Sequence, residues 1–508
     1  MKKQLSFLLA IVVMVTTMGI SSCTRATDVS ELQALRPTAV SKKVIELTPA
    51  EIAALRIADN QTKVGIDEAT ASIQNILAEL DAKATTRSGI ERHVRSVTPL
   101  RYRPYANTRA EEDGTLNIPD TLAYLLNFAE NAGFAIVAAD ARVLTPILGY
   151  TDSGSLETEI PAGLDIFLAG AESYILRSIA EAEAQQDSLL REAYTKMGKD
   201  DLLTIHTRIR QPDPEGDDEV WYSEQVEYGS PTVLLEVSPL SKVAWGQGNA
   251  VDSAFYMYLD RPSCSSGHTP AGCVAVALAH IMSYWQFPTS LSVSGISGFP
   301  TTISYNWAQL NQRTGYADNN WGSNVTGYMR TAPAAIQQQA GKLMRQIGHA
   351  IDMDYECEGS GASTVTGVNY LKSLGYTGGT GYDFSYAQTK SSLLGNRPVI
   401  IRGTKDLDYD WLFIPDGIGH TWIVDGVSER SQTYWQIQYT GTGHTNSLEE
   451  EIIFSEEVIY GVHNYYYLHY NWGNYGEFNG WFESGCFEMT EGEDFHYNVS
   501  IYTELAHY

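Results

Sequence analysis

The chain has 508 residues and carries 61 Asp and Glu against 34 Lys and Arg, for a formal net charge of −27 at pH 7. This acidic balance argues against nucleic acid and anionic membrane surfaces as partners of the chain as a whole, because both are negatively charged. The length exceeds what one hydrophobic core organises, so two or three domains are expected, and the 31 Tyr and 43 Gly favour β-rich structure with many turns.

The N-terminus has the features of an export signal. Lys2 and Lys3 form a short basic region, and the apolar run from Leu5 to Val15 that follows is too short to span a bilayer. Cys23 comes after small residues, in an arrangement that resembles the lipobox of bacterial lipoproteins, where the cysteine is acylated. Residues 1–22 are therefore predicted to be a signal peptide, and Cys23 either carries a lipid anchor or is lost with the leader.

The first half of the chain is predicted to fold as one α+β unit, from residue 24 to about residue 205. Residues 24–85 are expected to be helical, with a capped helix start at Thr48-Pro49-Ala50-Glu51 and an apolar stripe over Ile66–Leu80. A further helix is expected over 164–197. Between these helices, apolar runs predict three strands, at Leu122–Phe128, Gly133–Asp140 and Leu144–Tyr150.

A charged stretch with prolines and a glycine, Arg210–Glu219, follows this unit. Such a stretch cannot bury a core, so we expect an exposed linker near 210–230 that proteases can cut. The chain is accordingly divided into residues 24–230 and residues 231–508.

Cys273 stands where a loop punctuated by proline and glycine gives way to a long run of helix formers. In the first turn of a helix, unpaired backbone N–H groups and the macrodipole lower a thiol pKa, so this is a suitable position for a reactive cysteine. The same position also suits a small apolar residue that caps a buried helix. Four cysteines in an exported protein can also form two disulfides, and Cys264, Cys357 and Cys486 are the potential partners.

A nucleophilic cysteine requires a base that the fold places beside it. His280 lies about 10 Å along the same helix, beyond hydrogen-bond reach, and is interpreted as a core or interface histidine. His268 has no geometric argument in its favour. His420 opens a predicted strand over Gly419–Gly426 and is the better candidate, although a single histidine in that setting is more often structural than catalytic.

Two further features of the sequence, at Asn471-Trp472 and at Gln247, have residue types that can assist a cysteine and a histidine in catalysis. Asn471 and Trp472 end another predicted strand, where an Asn can accept the imidazole N–H and an indole can shield that bond from water. Gln247, upstream of Cys273, is either an ordinary loop residue or a side-chain donor that stabilises a developing negative oxygen together with the Cys273 N–H. The chain order Cys, His, Asn-Trp-Gly is that of papain-like peptidases.

At these residues the chain resembles the streptopain family of cysteine peptidases, which are secreted papain-fold enzymes of bacteria. The resemblance implies an α+β fold, with an α+β inhibitory prodomain over residues 24–230 and a papain-like two-lobed catalytic domain over 231–508. It implies no metal and no organic cofactor. The matching pieces are Trp245-Gly246-Gln247-Gly248, Ala271-Gly272-Cys273-Val274-Ala275, Gly419-His420, Val424-Asp425-Gly426, Asn471-Trp472-Gly473 and, upstream, Gly133 to Arg142 and Pro146 to Tyr150.

The resemblance also assigns roles and partners. It makes Cys273 the nucleophile, His420 the proton acceptor, Gln247 the oxyanion donor, and Asn471 with Trp472 the support of the histidine. Ser360 and Gly361 are expected on one wall of the substrate cleft and Gly419 on the other. The expected partners are protein or peptide substrates and the chain's own propeptide, which occupies the cleft until it is cut away near the linker.

The sequence departs from the family pattern directly after Gly473. Family members continue with a second Trp and glycines, whereas this chain has Asn474-Tyr475-Gly476, so the preferred substrate side chain is not predicted. The three additional cysteines are also unusual for the family.

The leading hypothesis is an exported cysteine endopeptidase zymogen. The alternatives are a papain-fold acyl transferase or amidase, which would use the same dyad, and a non-catalytic surface lipoprotein that kept the fold as a binding module. A Cys273 held in a disulfide would favour the binding module, and a free thiol would favour the two enzymes.

Overall fold

The structure is a computed structural model that describes residues 40–83, 92–102, 117–198, 218–248, 264, 269–296, 298–311, 334–357, 359–405, 419–444, 453–488 and 497–508. The predicted signal peptide, Cys23, His268 and the first part of the linker lie outside the described residues. The expectation of an exposed linker throughout 210–230 is wrong for residues 218–228, which form a strand that pairs in the sheet. The chain forms two compact units, of which the larger comprises Val44–Arg210, Gln225–Ile437 and Val458–Tyr508. In the smaller unit only short stretches of strand are described. All contacts reported below lie within the larger unit.

The N-terminal part of this unit, residues 44–198, contains most of the elements that the sequence predicts. It includes strand β1 (Val40–Glu46), helices α1 (Pro49–Ala58) and α2 (Ile66–Lys83), strands β2 (Val94–Arg101), β3 (Thr121–Phe128), β4 (Phe134–Ala138) and β5 (Ile147–Thr151), and helix α3 (Ala162–Met197). The predicted capping box is confirmed, because the Glu51 N–H donates to Thr48 Oγ1 at 3.2 Å and the Thr48 N–H donates to the Glu51 carboxylate at 2.7 Å.

Two strands of this part were not predicted. The expectation of helix throughout 24–85 is wrong for β1, where Val44 and Ile45 favour extended structure and Ile45 and Leu47 turn inward to be buried. Strand β2 pairs with β3 along its length, although it has only one buried residue, Leu100. Such a strand gives little hydrophobic alternation by which to recognise it.

The C-terminal part, residues 225–437 and 458–508, contains a helical portion and strands. The elements are β6 (Asp218–Tyr228), β7 (Thr232–Val237), α4 (Cys273–Trp285), β8 (Ser290–Ser292), β9 (Thr302–Ser304), α5 (Trp307–Leu310), α6 (Ala334–Ala350), α7 (Thr364–Ser373), β10 (Thr380–Asp383), α8 (Tyr386–Leu394), β11 (Val399–Lys405), β12 (Gly419–His444), β13 (Ile453–Asn471), β14 (Gly480–Glu483) and β15 (Tyr497–Thr503). Helix α4 is almost entirely apolar and is buried against α6 and α7. None of the helices in the described ranges is long and apolar enough to cross a membrane.

One antiparallel sheet connects the two parts. Its strands follow the order β10-β15-β11-β12-β13-β14-β5-β4-β3-β2, and the junction is the pair β14–β5, in which Trp481 lies opposite Tyr150. Helix α3 of the N-terminal part packs on this sheet, and Phe167 contacts Phe482 with ring centroids 4.9 Å apart. The predicted α+β class is confirmed, and the core is continuous across the junction.

Candidate active site

Cys273 is the first residue of α4, as the loop-to-helix transition predicts. Gly272 before it has φ +86°, and a Cβ on this residue would lie 2.5 Å from the Met353 sulfur, so only glycine fits the entry to the helix. The thiol is partly exposed and is not in a disulfide. Helix packing therefore fixes the sulfur at the positive end of a buried helix.

His420 reaches the sulfur from the opposite side, on strand β12. This strand pairs with β11, and the imidazole is buried and stacked at 5.8 Å on Trp422, two residues along the same strand face. Its Nε2 lies 2.9 Å from the carbonyl oxygen of Trp472. Because His420 also hydrogen-bonds Cys273, its Nδ1 is the nitrogen that faces the sulfur.

The two side chains shift each other's pKa. Burial alone would raise the pKa of the Cys273 thiol, but the hydrogen bond and positive charge of His420, helped by the backbone N–H groups of Thr421 and Val274, lower it overall. Burial alone would lower the pKa of His420, yet the bonds to Cys273 and to the Trp472 carbonyl raise it. These directions favour a thiolate–imidazolium pair, which combines a nucleophile with a proton donor.

The Asn-Trp pair supports the histidine differently from the expectation. The carbonyl of Trp472, not the Asn471 amide, accepts the imidazole N–H. The Asn471 side chain instead accepts from the Gly473 N–H at 3.2 Å and donates to the Val243 carbonyl at 3.4 Å. Asn471 therefore fixes the turn after Trp472 and connects it to the segment that leads to Gln247.

Gln247 lies alongside the start of α4. Its carbonyl accepts the Ala271 N–H at 2.8 Å, and its side chain is half-buried. The segment is also held by His280, whose Nε2 accepts the Trp245 N–H at 3.2 Å. Burial lowers the pKa of His280 to about 3, so this histidine is a neutral structural residue, as the sequence indicated.

The three predicted cleft residues have different surroundings. Gly419 is exposed and directly precedes His420. The Ser360 hydroxyl donates to the Pro270 carbonyl at 2.7 Å, which joins this wall to the entry of α4. Gly361 is exposed, but its N–H and carbonyl are both bonded to Asp354, at 3.0 and 2.9 Å, so its peptide groups are already paired.

The structure adds two residues that the sequence reasoning did not identify. The Thr421 N–H donates to the sulfur, and the Thr421 hydroxyl is 2.8 Å from that of Thr364 on α7. Trp422 covers the imidazole. The position of Trp422 beside His420 could have been predicted, because residues two apart on a strand lie on the same face. Nothing in the sequence pairs Thr421 with Thr364.

The N-terminal part covers the histidine side of the site. Gly163, in the first turn of α3, is so close that a Cβ there would lie 2.5 Å from the Trp472 ring and 2.9 Å from His420 Cδ2. Nearby, Lys405 of β11 forms an ion pair with Asp165 of α3. Among the described residues no cluster of His, Cys, Asp and Glu suited to a metal ion is found.

Two family models match the chain. The Peptidase C10 family matches residues 245–482, which include Cys273, His420 and Asn471, and the Spi protease inhibitor family matches residues 61–175.

Individual proteins similar to the chain were also found. Streptopain of Streptococcus pyogenes is 24% identical over 323 residues, which cover 61% of this chain and 69% of that protein. The thiol protease/hemagglutinin PrtT of Porphyromonas gingivalis is 23% identical over 371 residues, 68% of this chain and 37% of its own length. Among solved structures, a fragment of Prevotella intermedia prointerpain A is 17% identical with a TM-score of 0.42, and it covers 76% of this chain and 96% of that fragment.

Proposed function

Because this chain belongs to the peptidase C10 family of papain-like cysteine peptidases, with a Spi-type inhibitor region ahead of the peptidase region, we propose that Cys273 and His420 are its catalytic dyad. The chain is a cysteine endopeptidase zymogen. We call its N-terminal part the prodomain. The observation that carries the proposal is the hydrogen bond between the thiol at the head of α4 and the imidazole at the start of β12.

Acylation begins with the Cys273 thiolate. The sulfur attacks the carbonyl carbon of the scissile peptide bond and forms a tetrahedral intermediate with a negative oxygen. The Cys273 N–H at the helix start and the Gln247 side-chain NH₂ are the proposed donors to that oxygen. Support for Gln247 comes from its carbonyl bond to Ala271, which keeps it beside the nucleophile, and from its partly exposed side chain.

His420 supplies the proton transfers. As an imidazolium it gives its Nδ1 proton to the leaving amine, and the neutral imidazole then takes a proton from the water that hydrolyses the thioester. The Trp472 carbonyl accepts a hydrogen bond from Nε2–H throughout, and Asn471 keeps the Trp472–Gly473 turn in place. Asn471 and Trp472 thus position the base without touching the substrate.

The substrate is proposed to bind between Gly419 and the wall that contains Ser360 and Gly361. Gly419 is exposed beside the imidazole, and as a glycine it has no side chain of its own to hinder the backbone of a bound peptide. Because the Gly361 peptide groups are bonded to Asp354, we assign Gly361 a shaping role in this wall, with Ser360 holding the wall against Pro270.

The protein is exported, in keeping with its bacterial relatives and with the disulfide between Cys264 and Cys357, since such bonds persist in oxidising compartments. We propose in addition that Cys23 carries a lipid anchor after signal cleavage. Maturation is proposed to cut the predicted linker ahead of β6, because residues 218–228 are paired with β12 and are therefore a poorer substrate for proteases.

The test combines labelling with two variants. Iodoacetamide or an E-64-type epoxide should modify Cys273 and abolish cleavage of casein, and Cys273→Ala should be inactive while His420→Ala should lose at least a thousandfold in kcat/KM, since nucleophile and base act as a unit. Casein cleavage by Cys273→Ala would overturn the assignment. Release of new peptide N-termini separates an endopeptidase from an acyl transferase or amidase. The free Cys273 thiol already disfavours the binding-module alternative.

A further inference from the structure

Two buried threonine hydroxyls that the catalytic scheme does not use meet beside the nucleophile. Thr364 is the first residue of α7, and Thr421 follows His420 on β12. Their Oγ1 atoms lie 2.8 Å apart, and the two residues are only 3% and 4% exposed. The pair therefore forms a hydrogen bond between the helical portion and the strand that carries the proposed base.

Strand β12 presents alternate residues to two different surroundings. His420 stacks on Trp422, whose indole belongs to the core built with α3, whereas Ile423 belongs to the core of α4 and α7. Because successive side chains of a strand point to opposite faces, Thr421 lies on the face of Ile423, towards the helices. The start of β12 thus carries the base on one face and a hydroxyl anchor on the other.

Thr364 is fixed relative to the sulfur because α7 packs closely on the first turns of α4. A Cβ on Gly367, one turn after Thr364, would lie 2.8 Å from Val274 Cγ1 and 3.1 Å from Leu278 Cδ1. Val274 directly follows Cys273, and its N–H also donates to the sulfur. The hydroxyl at the start of α7 is therefore a reference point for the position of β12 relative to the nucleophile.

Apolar side chains join the sheet to the helices around this pair. Ile400 of β11 and Ile423 of β12 pack into the same core as Val368 of α7. Apolar burial is non-directional, so it holds strand and helix together without fixing how far one lies along the other. A buried hydroxyl without a partner is costly, and its hydrogen bond is satisfied only over a narrow range of distances. The hydroxyl pair therefore restricts where the first residues of β12 lie.

We propose that Thr364 and Thr421 are positioning residues for catalysis, because their hydrogen bond holds the start of β12 against α7 and keeps the Thr421 N–H on the catalytic sulfur. The imidazole of His420, one residue earlier on the strand, is held in the same way. The inference rests on the proposed function, because it concerns the thiolate that the mechanism uses.

The Thr421 N–H matters because a hydrogen bond to a charged sulfur is stronger than one to a neutral thiol. This N–H lowers the pKa of Cys273, together with His420, which is the charged partner of the thiol, and the Val274 N–H. A methyl group in place of one hydroxyl needs about 3.5–4.0 Å where the two oxygens are 2.8 Å apart, so the start of β12 must move by about 1 Å. The sulfur then loses part of its stabilisation as an anion, and its pKa rises.

The experiment measures how fast iodoacetamide alkylates Cys273 in the uncut chain at a series of pH values, with the modified residue read by mass spectrometry. In Thr364→Val, which keeps the shape and removes the hydroxyl, the apparent pKa of the thiol should rise by about one unit, so that alkylation well below that pKa is about tenfold slower. The limiting rate at high pH should stay within about threefold of wild type, because every thiol is then ionised. Thr364→Ser, which keeps the hydroxyl, should show the wild-type profile. Thr366→Val, at an exposed position of the same helix, is the matched control and should also match wild type.

A double variant separates positioning from loss of stability. A single valine leaves one buried hydroxyl unpaired, whereas Thr364→Val/Thr421→Val removes both hydroxyls, which can be nearly neutral for stability. In a Cys273→Ala background, the denaturant midpoint of the double variant should therefore lie closer to wild type than that of either single variant. With Cys273 present, the double variant should keep the raised thiol pKa, because two methyl groups cannot approach to the 2.8 Å of the hydroxyl pair.

Two results would overturn the inference. One is a wild-type pH profile in Thr364→Val, and the other is a profile that returns to wild type in the double variant as stability recovers. If Thr364→Val does not fold, the profile of the double variant alone decides. Failure of the proposed function is distinguishable, because casein cleavage by Cys273→Ala would reveal it whatever the threonine variants show.

Discussion

The close approach of Gly163 to His420, the proposed base, predicts how the prodomain keeps the zymogen inactive. We expect Gly163→Val to loosen the start of α3 from the peptidase and to activate the uncut zymogen. Even the first carbon of a side chain at this position would lie 2.5 Å from the Trp472 ring and 2.9 Å from His420 Cδ2. Carbon atoms pack at about 3.5–4.0 Å, so the helix or the rings must shift by about 1 Å.

The size of the expected activation follows from the free-energy cost of overpacking this contact. Forcing extra methyl groups into a packed site costs about 1–3 kcal/mol, and the Trp472 and Trp422 rings leave little room to relax because both are fully buried. Valine in place of glycine recovers a few tenths of a kcal/mol of helix propensity. A net loss of about 2 kcal/mol in the free energy that holds the prodomain on the peptidase corresponds to a roughly 30-fold weaker association between them.

The assay is the rate at which an active-site epoxide labels Cys273 in the uncut zymogen. This rate should rise roughly 30-fold in Gly163→Val, with the mature enzyme as the upper limit. Gln185→Ala, on an exposed position of the same helix, should label like wild type. After maturation both variants yield the same peptidase, so any difference must come from the prodomain. A Gly163→Val zymogen that labels as slowly as wild type would refute a role for this contact in inhibition.

Three further predictions concern titratable groups. His420→Ala removes the bond and charge that lower the Cys273 pKa, so iodoacetamide alkylation should need a higher pH than in wild type; an unchanged pH profile would contradict the ion pair. Burial raises the pKa of Glu483 to about 7. Ionisation of this carboxyl therefore favours the unfolded chain: the destabilisation of the fold is absent below about pH 4.5 and grows until about pH 7. Glu483→Gln loses, at every pH, one of the two hydrogen bonds that the carboxylate accepts from the Tyr466 and Gly485 N–H groups. Its free energy of unfolding relative to wild type should nevertheless be about 3 kcal/mol higher near pH 8 than near pH 4, measured in a Cys273→Ala background; an equal difference at both pH values would exclude ionisation as the cause. His280→Phe leaves the Trp245 N–H unpaired and should lower stability by about 1–3 kcal/mol near pH 8 in denaturant unfolding. This loss should shrink by about 2 kcal/mol on going from pH 8 to pH 5, because below about pH 6.5 the unfolded wild-type imidazole takes up a proton that the buried, neutral imidazole of the folded state does not; a loss that is the same at both pH values would contradict a neutral buried His280.

Local features of this fold could be read from the sequence. The capping box at Thr48 and Glu51 and the helix start at Cys273 depend only on neighbours in the chain, and both appear in the structure. The strand that carries His420 was found because its apolar residues are bounded by glycines. In each case the sequence within a few residues determines the backbone.

Long-range pairings could not be read in the same way. Cys264 joins Cys357 across 93 residues, and four cysteines allow three pairings that spacing does not separate. The imidazole of His420 bonds to a main-chain carbonyl, which every residue possesses, so composition could not favour Trp472 over the Asn471 amide. The resemblance to a known family identified the residues that act with Cys273. Which atoms of those residues form the contacts depends on tertiary packing.

The shared sheet has a consequence for activation. Strand β5 of the prodomain pairs with β14 of the peptidase, and Phe167 of α3 contacts Phe482 and Phe487 in a core that both parts build. Cutting the linker breaks none of these contacts, so a singly nicked chain should remain one particle by size exclusion and should label slowly at Cys273. Activity should appear only when the prodomain is itself degraded or displaced. Full activity in a nicked, undissociated complex would mean that the linker, and not the shared core, restrains the enzyme.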